Sequence, residues 1–149
     1  KAKLAPHHGY DHVIDYTKED FVARVGEITK GAKCPAVYDG VGRDTFMKSL
    51  DCVRPHGIVV SFGQASGKIP PVDLGILATK GSLYVQRPTL ATYGAKREDL
   101  VAMAKNLFDV VKSGKVKIVV SQTYPLKDAA KAHADLEGRK TTGSTVFLV

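Results

Sequence analysis

Two short apolar runs, each closed by glycine, limit what this chain can become. The first is Ala36-Val37-Tyr38-Asp39-Gly40-Val41-Gly42 and the second is Gly57-Ile58-Val59-Val60-Ser61-Phe62-Gly63. Apolar, β-branched runs bounded by glycine predict strands buried on both faces. Between them, Arg43 to Val53 carries Phe46, Met47, Leu50 and Val53 at helical spacing and predicts a helix facing the sheet. The product is a β-α-β unit with a right-handed crossover. Glycine at both strand exits lets the backbone come close to whatever lies across the carboxyl edge of the sheet.

The rest of the chain repeats this alternation. Lys1 to His8 predicts the tail of a helix closed by Gly9, although Pro6 interrupts a regular one. His12 to Tyr16 predicts a short strand. Thr17 with Asp20 resembles a capping box, opening a helix with Phe21, Val22, Val25 and Ile28 on one face that ends before Gly31. Asp73 caps a short helix, Leu74 to Thr79, and Ser82 to Gln86 follows as a strand. Arg97 to Lys112 is the clearest helix, with Leu100, Ala104, Leu107, Phe108 and Val111 on one side and Gly114 stopping it. Val116 to Val120 predicts a strand, Lys127 to Leu136 a helix and Ser144 to Val149 a last strand. The order predicts an α/β fold with a doubly wound, mostly parallel sheet.

Charge narrows the partners. The net charge is +7, from 22 Lys and Arg against 15 Asp and Glu. Such an excess raises nucleic acid as a partner, but no five-residue basic run concentrates it. A pocket for one phosphorylated cofactor, or an ordinary basic surface, accounts for it as well. No run approaches the ~20 apolar residues of a membrane span. The first residues lack the apolar core of a signal peptide, and a cytoplasmic location is expected. Cys34 and Cys52 are too few for a disulfide framework or an all-cysteine zinc site, and Cys52 is expected to be a buried, inert thiol.

In a doubly wound sheet, ligands bind beyond the carboxyl ends of the strands. Here those ends are Asp15-Tyr16, Asp39-Gly40-Val41-Gly42, Phe62-Gly63-Gln64 and Arg87-Pro88-Thr89. Glycine backbone, an aromatic face, hydroxyls and a cation suit a nucleotide better than a catalytic triad. The usual GxGxxG phosphate loop is not found; Gly40-Val41-Gly42 supplies only its first part. Ser61, Ser66 and Ser82 lack the GxSxG setting of a hydrolase nucleophile. His7, His8 and His12 suggest a metal, but Gly9 breaks any helix that would align them, and a solvated basic patch is the expectation. His133 is expected to be a half-buried helix residue rather than a catalytic base.

Several segments occur in a telling order: Lys1-Ala2, Val13 to Tyr16, Val37 to Gly42, Gly57 to Gly63, Lys80 to Pro88 and Tyr124 to Ala129. In this order the chain resembles the carboxyl-terminal half of NADPH:quinone oxidoreductases of the zeta-crystallin type, in the medium-chain dehydrogenase/reductase superfamily. The resemblance covers essentially all 149 residues. It implies a parent enzyme that passes a hydride from NADPH to a quinone without zinc. Residues 1–113 would form a partial NADP-binding Rossmann-like domain, and residues 114–149 a segment packing back onto an amino-terminal substrate domain. The family's first strand, glycine-rich turn and following helix would precede Lys1. The Rossmann-like sheet is therefore expected to be incomplete, the last strand to be without its usual neighbours, and the isolated chain to have little or no activity.

The resemblance also implies roles. Lys1 and Tyr16 would hold the 2′-phosphate that distinguishes NADPH. Gly40 and Val41 would line the adenosine side, and Phe62, Gly63 and Gln64 the nicotinamide end. Arg87, Pro88 and Thr89 would lie near the nicotinamide ribose, and Arg139 near the phosphates or the active cleft. The edge strand Gly81 to Gln86 would form a homodimer. Plainer roles stand beside these: Tyr16 as an ordinary aromatic, Phe62 as core filler, Arg87 as a subunit contact. Other readings of the whole are an enoyl or alcohol reductase of the same superfamily, or a basic RNA-binding or structural module.

Overall fold

The computed structural model describes residues 5–149. Lys1 lies outside the described residues. The chain divides into two compact units, one running up to Ala95 and the other from Lys96 to Val149.

The first unit contains α1 (Phe21–Ile28), β1 (Cys34–Asp39), α2 (Phe46–Asp51), β2 (Val53–Ser61), α3 (Gly75–Thr79), β3 (Tyr84–Gln86) and α4 (Leu90–Tyr93). The three strands form one sheet in the order β1-β2-β3, and both pairings are parallel. Val37 lies opposite Val59, which lies opposite Val85, so the carboxyl ends of all three strands point the same way. Phe46 and Leu50 of α2 pack on Val53, Val59 and Leu83, with Val37, Ile69, Val72, Ile76 and Leu77 around them. This core lies under one face of the sheet. On central β2, Val59 and Val60 are both buried, as a strand covered on two sides requires. On β1 the expectation fails, because Tyr38 is 72% exposed.

The second unit contains α5 (Arg97–Lys112), β4 (Val120–Pro125), α6 (Ala129–Glu137) and β5 (Ser144–Leu148). Its two strands pair in parallel, with Tyr124 opposite Phe147. The last strand thus has a neighbour, β4. Helix α5 has the predicted bounds, yet Leu107 and Phe108 of its apolar stripe stay exposed. Among the described residues no helix is long and apolar enough to cross a membrane.

Local structure departs from expectation where side chains compete with the backbone. His12 to Tyr16 is not a strand; no described strand lies alongside it, and Asp15 closes a turn by accepting from the backbone N–H and hydroxyl of Thr17. The cap of α1 is Asp20, accepting from the Val22 N–H at 3.2 Å, and not Thr17. Ala5–His8 forms a 3-10 turn rather than the end of an α-helix, as Pro6 requires. Helix α2 begins at Phe46 rather than Arg43: residues 43–45 form a turn, and Thr45 stands at the N-cap with a non-helical φ of −124°. Met47 is 43% exposed and points away from the core. Strand β2 begins at Val53, but its regular pairing starts at Ile58, and the register slips between Cys34 and Ala36. The strand expected at Val116 to Val120 lies instead at Val120–Pro125, where pairing with β5 sets it. A 3-10 turn, Leu126–Asp128, replaces the first turn of the helix predicted from Lys127.

Candidate functional site

Both oxygens of the Asp39 carboxylate are engaged. Asp39 is the last residue of β1 and is buried. Its Oδ1 accepts from the N–H groups of Val41 at 2.8 Å and Gly42 at 2.9 Å, and from the Thr45 hydroxyl at 3.0 Å. Its Oδ2 accepts from the hydroxyls of Thr45 at 2.9 Å and Ser49 at 2.8 Å. All of these donors are neutral. Burial pushes the carboxyl pKa up, but the donors, Gly42 and Ser49 foremost, outweigh it and hold it below its ordinary value. Thr45 stands at the N-cap of α2 without capping it, since its hydroxyl is spent on Asp39.

The turn held in this way locks onto the loop leaving β2. The Asp39 carbonyl accepts from Phe62 N–H at 3.0 Å, the Gly40 carbonyl from Ala65 at 3.2 Å and the Val41 carbonyl from Ser66 at 2.8 Å. The Gly67 carbonyl takes the Arg43 N–H at 3.2 Å, and the Ser66 hydroxyl donates to the Val41 carbonyl. The loops pack closely at their glycines. A Cβ on Gly63 would lie 2.6 Å from the Gly40 carbonyl oxygen, and one on Gly40 would lie 2.8 Å from the Phe62 ring. Phe62 does not fill the core: its ring covers Gly40 and is 56% exposed. At the next strand end, Arg87 donates from Nη1 to the Ser61 carbonyl at 2.8 Å. Thr89 caps α4, accepting from the Thr92 N–H. Ser61 is buried, and its hydroxyl has no partner among the described residues.

The structure therefore gathers Gly40, Val41, Phe62, Gly63 and Gln64 into one double loop, where a Cβ on Gly42 would lie 2.8 Å from the Gln64 Cα. Arg87, Pro88 and Thr89 follow the neighbouring parallel strand at the same edge. Tyr16 is placed otherwise: it sits in the turn before α1, edge-on to Phe21 with ring centroids 6.5 Å apart. Arg139 lies in the second unit, just after α6, with φ 57°. His133 is exposed rather than half-buried and lines an apolar groove of about 160 Å³ with Ala132, Leu136, Thr145 and Phe147. Cys52 is buried as expected, and burial pushes its thiol up to about 11. Asp39 is expected only as part of a strand end and gains the turn-closing role, while Thr45, Ser49 and Ser66 join the site without having been expected there. The signal for the first is an aspartate directly before Gly-x-Gly, which favours a side-chain-closed turn. Thr45 and Ser49 lie four apart, on one helical face.

Parallel strands joined through helices, with their carboxyl ends brought to one edge, place the chain in the α/β class, Rossmann-like in architecture. The sequence profile of the zinc-binding dehydrogenase family matches residues 8–147, and the chain belongs to that family. It is 53% identical over 148 residues to a quinone oxidoreductase of Pseudomonas aeruginosa, spanning 99% of this chain and 46% of that protein. The crystal structure of Escherichia coli quinone oxidoreductase complexed with NADPH superposes with a TM-score of 0.92 at 49% identity, covering 99% of this chain and 46% of that one. A 2-haloacrylate reductase of Burkholderia is 43% identical over 152 residues, 99% of this chain and 45% of that protein. The chain thus spans a little under half the length of these relatives and corresponds to their carboxyl-terminal half. The family's description includes zinc, but among the described residues no three His, Cys, Asp or Glu side chains gather where they could hold a metal. The donors among the described residues do not fit such an ion.

Proposed function

We propose that this chain is the cofactor-binding part of a zinc-independent NADPH:quinone oxidoreductase. The observation that carries the reading is the carboxyl edge of the parallel sheet, where the Gly40 and Phe62-Gly63 loops interlock beneath an exposed aromatic ring. NADPH, when bound, supplies the hydride that reduces a quinone. The residues of the chain bind and orient it. Gly40 and Val41 take the adenosine side. Phe62, Gly63 and Gln64 flank the nicotinamide end. Arg87, tied to the Ser61 carbonyl, stands with Pro88 and Thr89 toward the nicotinamide ribose. The exposed Tyr16 phenol donates to the 2′-phosphate, and Lys1, on family likeness alone, supplies a positive charge for the same group. Family likeness alone supports Arg139.

In the complete, cytoplasmic enzyme, residues 114–149 pack against a substrate domain, and the exposed apolar side chains Val146 and Leu148 of β5 support this. Strand β3 is a sheet edge with Tyr84 and Val85 exposed, which supports homodimer formation there. A second reading keeps the cofactor and changes the acceptor to an activated carbon–carbon double bond; the likeness to 2-haloacrylate reductase favours it.

The test is equilibrium binding and turnover by the complete enzyme. NADPH oxidation is expected with benzoquinone and to persist after a chelator. Tyr16→Phe should weaken NADPH more than NADH. Equal losses for the two cofactors would remove the 2′-phosphate role, and no binding of either would sink the whole reading. Turnover with a haloacrylate but no quinone would select the second acceptor.

A further inference from the structure

We propose that Asp39 is a positioning residue: its buried carboxylate sets the backbone of Gly40 to Gly42 as the floor of the cofactor groove. This rests on the nucleotide-binding reading of the same edge. Asp39 joins three elements through one group. Oδ1 faces the turn and takes the N–H groups of Val41 and Gly42; Oδ2 faces α2 and takes Ser49; the Thr45 hydroxyl lies within reach of both oxygens. Strand end, turn and helix start are therefore fixed by a single carboxylate.

The same bonds decide what the turn can offer a ligand. The N–H groups of Val41 and Gly42 point inward to Asp39, and the carbonyls of Gly40 and Val41 are taken by Ala65 and Ser66. The turn has few hydrogen-bonding groups left and presents shape. A groove floor that recognises by shape depends on position: a small displacement of Gly40 either blocks the ligand or opens a gap, and each loses contact energy. The Phe62 ring rests on Gly40, so moving the turn also moves the ring. An Asp-to-Asn change keeps the volume but removes the charge, which roughly halves the strength of the bonds its one remaining oxygen accepts, and puts an NH2 that can only donate where the other oxygen accepted. An Asp-to-Ala change leaves two backbone N–H groups and two hydroxyls without their acceptor.

The experiment measures NADPH affinity by fluorescence, steady-state kinetics and thermal melting on the complete enzyme. Asp39→Asn is expected to raise the Kd for NADPH threefold or more, with KM rising by more than kcat falls; Asp39→Ala should raise Kd tenfold or more. Lys80→Met is the stability control, because it breaks the Lys80–Asp51 ion pair away from the turn. It should lower the melting temperature and leave Kd unchanged. If Asp39→Asn melts lower with an unchanged Kd, or if the control shifts Kd equally, the carboxylate is only a fold anchor and the proposal fails. If neither Asp39 variant folds, Thr45→Val replaces them; a Kd raised twofold or more supports the proposal and an unchanged one overturns it. Absence of NADPH binding by the unmodified enzyme is a separate result, which refutes the nucleotide-binding reading itself.

Discussion

A methyl group added at Gly63 has nowhere to go. Its position lies 2.6 Å from the Gly40 carbonyl oxygen, 3.0 Å from the Gly40 Cα and 3.1 Å from the Gly40 carbonyl carbon. All three are backbone atoms, so no rotamer change relieves the clash. The loops must separate by about half an ångström or more to reach ordinary contact. Their separation is opposed by the Phe62, Ala65 and Ser66 N–H bonds to the Asp39, Gly40 and Val41 carbonyls. Overpacking costs about 1–3 kcal/mol, and losing one backbone hydrogen bond about 1 kcal/mol more. Gly63→Ala should therefore destabilise the protein by roughly 2–4 kcal/mol and lower its melting temperature by about 5–15 °C. Gly40→Ala is the informative comparison. The atom it meets first is the far end of the Phe62 ring, 2.8 Å away, and that exposed ring can swing aside. Its stability loss should stay under about 1 kcal/mol. Urea unfolding of the two variants and the parent measures both numbers. Gly63→Ala within about 0.5 kcal/mol of the parent would refute the interlocked-loop geometry and the groove floor built upon it.

Three further outcomes follow from single residues. Asp39 is deprotonated more easily when folded than when unfolded, so the stability its charge contributes is present above its ordinary value of 3.8 and is lost as the pH falls through the lower folded value. Urea midpoints of the parent and Asp39→Asn, compared between about pH 5 and pH 3, should converge as pH falls, and parallel curves would contradict the shift. Cys52 behaves oppositely: its pKa is raised from 9.0 to about 11, so stability is full below 9.0 and falls as the pH climbs toward 11. A thiol reagent should modify half-buried Cys34 well before Cys52, and equal rates would contradict the burial. Gly26 lies inside α1, and a methyl group placed on it would meet nothing within 4 Å, so Gly26→Ala should raise stability by about 0.5–1 kcal/mol in the same urea assay; a loss would indicate that the helix is not formed there.

Much of the architecture is legible in the sequence because it rests on short-range rules. The bounds of α5 come from its 3.6-residue period and its stop at Gly114. The parallel pairing of β1 and β2 follows from two glycine-ended apolar runs with one helix between them. What sequence periodicity does not count is competition from side chains. The start of α2 lies later than its spacing predicts because Thr45, whose hydroxyl Asp39 claims, is held at the N-cap with a non-helical φ of −124°. His12 to Tyr16 has the composition of a strand, but a strand forms only with a neighbour to pair with, and its turn-forming Asp15 offers the backbone another set of bonds.

The candidate site divides in the same way. From the chain alone come the residues at the strand exits, because a parallel sheet brings successive carboxyl ends to one edge whatever the details of packing. Only the folded structure decides that Phe62 lies on the surface over Gly40, that Gly63 abuts the Gly40 backbone, and that a buried aspartate holds the turn against which the second loop locks. Those facts depend on contacts between segments far apart in the chain. Local pattern carries no information about such contacts until packing has selected one arrangement.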